Sequence, residues 1–327
     1  MSYSFDQMLM LRVAKAYYLD GLSQQEIADQ EHIHRTQISR ILKQAREQGY
    51  VQINIAPPAH PQLENLAKQI EVQTGLRQVL IAPQAASGED AFESYCFFAA
   101  RQLEKTLTFC KNIGIGLGRT LYGISAQLTR QPCQTPHCFY SVVGFSGTQN
   151  SSLQPGVILE RFAYHFQGTC HYNNFPIYFR KDTMSPLDIA RYQEIQSLYE
   201  QLDTIVLSVG GALYTNPLME EFPLTSTQLE EVLKRPHGDL LGHIFYEGHQ
   251  CYQFPEQYLL SSISPDQLAK IPNVICAAVG NNKVHPIISA AQQKYIDVLI
   301  TDEETARNML QVLLNRSYEP QNPYSLP

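Results

Sequence analysis

Residues 23–49 constrain the fold of this chain more than any other stretch: Ser23-Gln-Gln-Glu-Ile-Ala-Asp-Gln-Glu-His-Ile-His-Arg-Thr-Gln-Ile-Ser-Arg-Ile-Leu-Lys-Gln-Ala-Arg-Glu-Gln-Gly49. They predict two short helices joined by a tight turn. Ser23 and Glu26 have the spacing of a capping box, in which the hydroxyl satisfies the amide at N3 and the carboxylate reaches back to the N-cap amide. Ile27 and Ala28 give the first helix a buried side, and Ile33 has the size to fill the angle between the helices. The second helix is expected from about Arg35 to Gln48, stopping at Gly49, which takes the left-handed C′ conformation at little cost. Its apolar positions Ile38, Ile41, Leu42 and Ala45 follow i, i+3, i+4, i+7 and make one stripe.

The other face of that helix carries Arg35, Thr36, Gln37, Ser39, Arg40, Lys43 and Arg46, and from His34 to Arg46 there are four basic residues and no acidic one. A helix–turn–helix reader of double-stranded DNA needs this combination: a stripe for docking, short polar side chains for base edges, and cations for phosphates. Arg35, Thr36, Gln37, Ser39, Arg40 and Lys43 are therefore the candidate DNA contacts. The plainer alternative is an amphipathic helix pair with a solvated basic face. A local run of cations in a chain of net charge −7 weighs against it. Residues Tyr50-Val-Gln-Ile-Asn-Ile55 alternate in the β manner, as a wing strand would.

Tyr17-Tyr-Leu-Asp-Gly-Leu-Ser-Gln-Gln-Glu-Ile-Ala28 and Ile38-Ser-Arg-Ile-Leu-Lys-Gln-Ala-Arg-Glu-Gln-Gly-Tyr-Val51 together resemble the amino-terminal reader of the SorC family of bacterial transcriptional regulators. Members of that family join a helix–turn–helix to a domain that senses a sugar phosphate. His34 departs from the pattern, because the family usually has Ser or Thr capping the recognition helix.

A length of 327 residues suits two domains, and 44% hydrophobic content is enough for a sizeable core. The acidic balance gives no global attraction to nucleic acid, so any DNA contact has to be local. Residues 1–56 hold six cations (Arg12, Lys15, Arg35, Arg40, Lys43, Arg46) against six anions (Asp6, Asp20, Glu26, Asp29, Glu31, Glu47). A neutral reader on an acidic body binds DNA weakly as a monomer, which favours a homo-dimer or tetramer. The seven cysteines are odd in number, lack a C-x-x-C, and read as reduced cytosolic thiols. Cys133, His137 and Cys138 lie close together, with Cys170 and His171 further on, but their spacing matches no standard zinc site, so no metal is expected. With no charged n-region before an apolar stretch and no apolar run approaching ~18 residues, neither a signal peptide nor a membrane span is expected, and the protein is placed in the cytoplasm.

Residues 5–19 predict a first helix with Phe5, Leu9, Leu11, Val13, Ala14, Tyr17 and Tyr18 on its apolar side. Ala56-Pro-Pro-Ala-His-Pro61 reads as a linker, which places the reader at 1–55, the linker at 56–61 and a second domain at 62–316. Residues 317–327, rich in Pro and Asn, read as a loose tail. Within 62–316, helix-period segments (62–73, 90–107, 119–129, 156–166, 187–200, 227–234, 284–293, 302–314) alternate with short β-branched runs at 79–81, 112–115, 139–143, 204–209, 273–279 and 298–300. Around 170–179 the pattern is less regular. This alternation predicts an α/β, Rossmann-like domain with a largely parallel sheet.

Several of the expected strands end in glycine-bearing turns, at 113–120, 142–148, 207–211 and 277–283, and a parallel sheet gathers such turns at its carboxyl edge, where ligands bind. In the sharpest, Ile113-Gly-Ile-Gly-Leu-Gly-Arg-Thr120, Gly116 and Gly118 let backbone amides approach a ligand, Arg119 supplies charge and Thr120 a hydroxyl. A helix beginning there favours an anion, most simply a phosphate. The glycines lack the dinucleotide spacing, no Walker lysine follows, and no cofactor is expected.

The resemblance extends over nearly the whole chain. Residues 113–121 look like the family's phosphate loop, Gly238-Asp-Leu-Leu-Gly-His-Ile-Phe-Tyr-Glu-Gly248 is similar to its VGD-x-x-G-x-F-F-D-x-x-G stretch, and residues 271–310 resemble its closing segment. It implies a fold shared with sugar-phosphate isomerases and glucosamine-6-phosphate deaminase, and a phosphorylated sugar as effector. By matching positions it implies phosphate on Gly116, Gly118, Arg119 and Thr120. It also implies sugar hydroxyls on Asp239, and Lys283 against phosphate or a ring oxygen. Without the resemblance, Asp239 reads as a turn residue and Lys283 as a solvated helix start. The rival reading is an isomerase or deaminase. His237, His243, Asp239 and His171 are its loose acid–base candidates, but no motif joins them and an enzyme has no need of the basic helix, so no catalysis is expected.

Overall fold

The computed structural model describes residues 6–51, 60–131, 136–147, 150, 154–211, 222–235, 237–246 and 250–314. The chain divides into two compact units, Met1–Ala59 and His60–Pro327. The first contains α1 (Gln7–Tyr18), α2 (Gln24–Glu31) and α3 (Arg35–Glu47). The capping box forms: Glu26 N–H donates to Ser23 Oγ at 3.2 Å, and Ser23 N–H donates to Glu26 Oε2 at 2.8 Å. Gly49 closes α3 at φ +77°. Ile38, Ile41, Leu42 and Ala45 are all buried, and the first three share a core with Met10, Val13, Ile27 and Ala28. Ile33 packs against that core from the turn.

On α1 the expected apolar side is turned by part of a residue. Met10 is buried while Leu11 and Tyr17 are exposed, because Met10, Val13 and Ala14 are the i, i+3, i+4 set that meets α3. Arg12 donates to Glu31 through Nε at 3.0 Å and Nη2 at 2.8 Å, tying α1 to α2. Phe5, most of the expected wing (52–55) and most of the linker (56–59) lie outside the described residues. Pro61 belongs to a helix rather than to the linker, since Pro is favoured at N1, where its missing N–H costs nothing.

The second unit runs α4 (Pro61–Thr74), β1 (Gln78–Ala82), α5 (Ala91–Leu107), β2 (Asn112–Ile115), α6 (Arg119–Gln127), β3 (Cys138–Ser141), α7 (Pro155–Phe166), β4 (Thr169–His171), β5 (Tyr178–Arg180), α8 (Pro186–Leu198), β6 (Thr204–Leu207) and β7 (Val209–Gly210). There follow α9 (Ser226–Leu233), β8 (His237–Leu240), β9 (His243–Tyr246), β10 (Gln250–Cys251), β11 (Tyr258–Leu260), α10 (Pro265–Leu268), β12 (Val274–Ala277), α11 (Val284–Gln292), β13 (Val298–Asp302) and α12 (Glu303–Leu314). Among the described residues, seven strands form a parallel sheet in the order β1-β13-β12-β6-β2-β3-β4. One buried cluster, with Leu103, Ile124, Phe162 and Phe166, covers one face of it, and a second, with Ile70, Leu202, Ile287 and Met309, covers the other. Burial on both faces is what continuous runs such as Thr204-Ile-Val-Leu207 and Val274-Ile-Cys-Ala277 require.

From β2 the chain steps outward through β3 to β4, then returns to β6 on the other side of β2 and steps away through β12 to β13. The direction of winding reverses between β2 and β6. In an open α/β sheet that is where a crevice opens at the carboxyl ends of the strands.

Among the described residues, two small antiparallel sheets, β10-β9-β8-β7 and β11-β5, add to the parallel sheet. The run expected at 204–209 divides accordingly: Thr204–Leu207 pair in the parallel sheet, while Val209 and Gly210 pair with Leu240 and Asp239. Ser208, between them, is where the chain leaves one sheet for the other.

Candidate anion site and nucleic-acid interface

The loops that follow β2, β6 and β12 meet at the carboxyl ends of those strands, where the crevice is expected. After β2, Gly118 is the N-cap of α6 with φ 120° and ψ 159°, a conformation open essentially to glycine alone, and nothing stands where its Cβ would be. The amides just beyond it, at the start of α6, have no carbonyl four residues back to bond and carry the positive end of the helix dipole. Gly116 has a different task. Its N–H donates to Val206 O at 2.9 Å, and a Cβ there would lie 2.8 Å from Leu241 Cδ2. It serves the sheet and the close approach of the β8–β9 hairpin, so its amide is not presented to a ligand. Thr120 is buried at 4% exposure, and Arg119 is exposed with no hydrogen bond or ion pair among the described residues.

Lys283 arrives from the loop after β12. That loop turns at Gly280, whose φ is +112° and whose N–H donates to Thr305 Oγ1 at 2.9 Å. The half-buried ammonium donates to Thr120 Oγ1 and to Ser208 Oγ, each at 3.4 Å, the long end of the hydrogen-bond range. Burial pushes the Lys283 ammonium down to about 8, with Cys276 and Asp239 opposing that shift and Arg119 adding to it. Two cations thus lie within electrostatic reach of one another beside a helix start, and no carboxylate forms an ion pair with either among the described residues. An anion bound there would relieve both.

Asp239 lies on β8, buried, with Oδ1 accepting the Gly242 N–H at 2.9 Å. The turn role expected without the resemblance is present, and Asp239 also adds negative potential at Lys283. The structure therefore brings Gly118, Thr120, Arg119 and Lys283 to one crevice, with Asp239 in electrostatic reach. Sequence reasoning missed Ser208. The Leu207–Gly211 turn was visible, but the break between two sheets that aims its serine was not.

Among the described side chains, the acid–base candidates do not assemble. His243 Nε2 lies 3.0 Å from Ile263 O, to which it donates, and burial pushes its imidazole down to about 4, so it stays neutral. His171 stacks on Tyr140 at 4.4 Å from β4, two strands out from β2. The side chain of His237 lies outside the described residues. His137, from the loose cysteine cluster, is buried with Nδ1 2.8 Å from Cys110 O. No described helix is long and apolar enough to cross a membrane.

In the first unit, Arg35, Thr36, Ser39, Arg40 and Lys43 are exposed on α3, opposite its buried stripe. Gln37 is half-buried, and its Oε1 accepts the His34 N–H at 3.1 Å. That bond supplies the N-terminal order a Ser or Thr cap would otherwise give, and it occupies part of a side chain expected to read DNA.

A family model described as "Putative sugar-binding domain" matches residues 61–311. The deoxyribonucleoside regulator of Bacillus subtilis (strain 168) is 25% identical over 312 residues, covering 93% of this chain and 97% of the relative. The sorbitol operon regulator of Klebsiella pneumoniae is 25% identical over 318 residues, covering 95% and 100%. The crystal structure of that full-length regulator superimposes with a TM-score of 0.74 at 23% identity, over 94% of this chain and 100% of that one.

Proposed function

We propose a function from one premise: the chain belongs to the SorC/DeoR family of sugar-binding transcriptional regulators. Its second unit binds a phosphorylated sugar in the crevice between β2 and β6. The ligand changes the affinity of the first unit for double-stranded operator DNA. The observation that carries this reading is the positive charge of Lys283 and Arg119 beside the α6 start, which no carboxylate pairs among the described residues. A neutral sugar would leave that charge uncompensated, whereas a phosphate accepts charge-assisted bonds from both cations and amide bonds from the helix. Gly118, Arg119, Thr120 and Lys283 hold the phosphate, Gly116 shapes their loop, and Asp239 faces the sugar hydroxyls.

Arg35, Thr36, Ser39, Arg40 and Lys43 of α3, with the free end of Gln37, meet the DNA. Residues 1–55 are the reader, 56–60 the linker, 61–316 the effector-binding and assembly domain, and 317–327 a tail. A reader of balanced charge needs a second copy to hold an operator, so the active form is a dimer or tetramer. The protein works in the cytoplasm.

The test is a thermal-shift screen of the full chain against phosphorylated and unphosphorylated forms of the same sugars. Stabilisation by at least one phosphorylated member, absent with its unphosphorylated counterpart, is expected. Equal stabilisation by the two forms would remove phosphate from the reading.

A further inference from the structure

Lys283 is held in an unusual way for a half-buried lysine. Its ammonium donates to two hydroxyls, Thr120 Oγ1 and Ser208 Oγ, at 3.4 Å each, and neither neutralises it. The two hydroxyls come from opposite sides of the winding reversal, Thr120 from the first turn of α6 after β2 and Ser208 from the carboxyl end of β6. Ser208 is also the single residue between a strand of the parallel sheet and a strand of the antiparallel sheet. Backbone pairing on both sides, to β2 and β12 before it and to β8 after it, fixes its position more firmly than a loop residue's.

We propose that Ser208 is a positioning residue of the anion site: its hydroxyl, with that of Thr120, holds the Lys283 ammonium toward the crevice and leaves its charge available to a tetrahedral dianion. The inference rests on the phosphate reading above. An acidic side chain at position 208 would pair with Lys283 and quench the site. An apolar one would withdraw an acceptor from the ammonium and favour the neutral amine.

The charged and titratable groups facing Lys283 are Arg119 from α6, Asp239 from β8 and Cys276 from β12. With these unchanged, loss of the Ser208 hydroxyl lowers the pH at which Lys283 gives up its proton. The anion requires the ammonium, so binding should be strongest below about 8 and weaken above it. Removing Ser208 should move that onset to lower pH.

Sulfate is the probe, since its charge stays at two from about pH 6 to about pH 9.5 and any change across that range belongs to the protein. Its affinity is read from thermal shifts of wild type, Ser208→Ala and Ser208→Thr. Wild type should lose about tenfold in affinity per pH unit above the onset. Ser208→Ala should bind about tenfold more weakly at pH 8, with its onset displaced downward, and Ser208→Thr should follow wild type. A Ser208→Ala protein with the wild-type onset and affinity overturns the inference. A lowered sulfate-free melting temperature with an unmoved onset overturns it equally, by making the role purely structural. A wild-type protein that ignores sulfate at every pH overturns the anion site itself, and the inference with it.

Discussion

At the scale of single residues, the two compact units are built on opposite uses of positive charge. Arg40 and Lys43 stand on the exposed face of α3, where water screens them until a phosphate or a base edge displaces it. Replacing either with Ala is expected to weaken operator binding. If the lost contact is to phosphate alone, the slope of log affinity against log salt should flatten by about one unit. If Arg40 reads a base, its loss should also relax sequence preference, at ~1–3 kcal/mol. Filter-binding titrations over a salt series distinguish these, and unchanged binding by both variants would remove α3 from the interface. Lys283, in contrast, is partly desolvated before any ligand arrives, so its charge acts at close range and with little screening. The capping box of α2 was legible in the chain, because Ser23 and Glu26 interact across three positions. The Lys283–Ser208 contact spans 75 positions and has no local signature.

At the scale of elements, the positions of the main helices and of six of the seven described strands of the parallel sheet could be read from periodicity, whereas β4 falls where the pattern is irregular. Their pairing order follows from topology rather than from any one segment. The sequence offers less at β7–β11, where two- to four-residue strands are too short for alternation to stand out. Glycines were visible but their tasks were not. Gly116 and Gly118 look alike in Gly-Leu-Gly, yet one accommodates Leu241 and gives its amide to the sheet while the other adopts a backbone that side chains avoid. This difference is testable. Gly118→Ala introduces no clash, so its cost is backbone strain of ~1–3 kcal/mol. If the strain is relieved by moving the start of α6, sugar-phosphate affinity should fall more than overall stability does, while DNA binding without ligand stays unchanged. Paired calorimetric and thermal-melt measurements check it, and an unaltered affinity would mean that the loop does not touch the ligand.

At the scale of the whole molecule, a ligand in one unit can act on DNA at the other only through a difference in its affinity for two states. The coupling must then be reciprocal: DNA changes the ligand's affinity by the same factor. This fixes what Lys283 should and should not do. A charge-assisted bond to phosphate contributes ~1.5–3 kcal/mol, so its loss should raise the ligand concentration needed by roughly ten- to a hundredfold. Lys283 is remote in sequence from α3 and lies in a different compact unit, so binding of DNA by the ligand-free protein should be untouched. The most direct measurement is a titration of operator DNA with wild type and Lys283→Ala, each over a range of concentrations of a sugar phosphate that stabilises the wild type. The account predicts equal DNA affinity without ligand, and a response in Lys283→Ala displaced to at least about tenfold higher ligand concentration. Superimposable responses in the two proteins would contradict it.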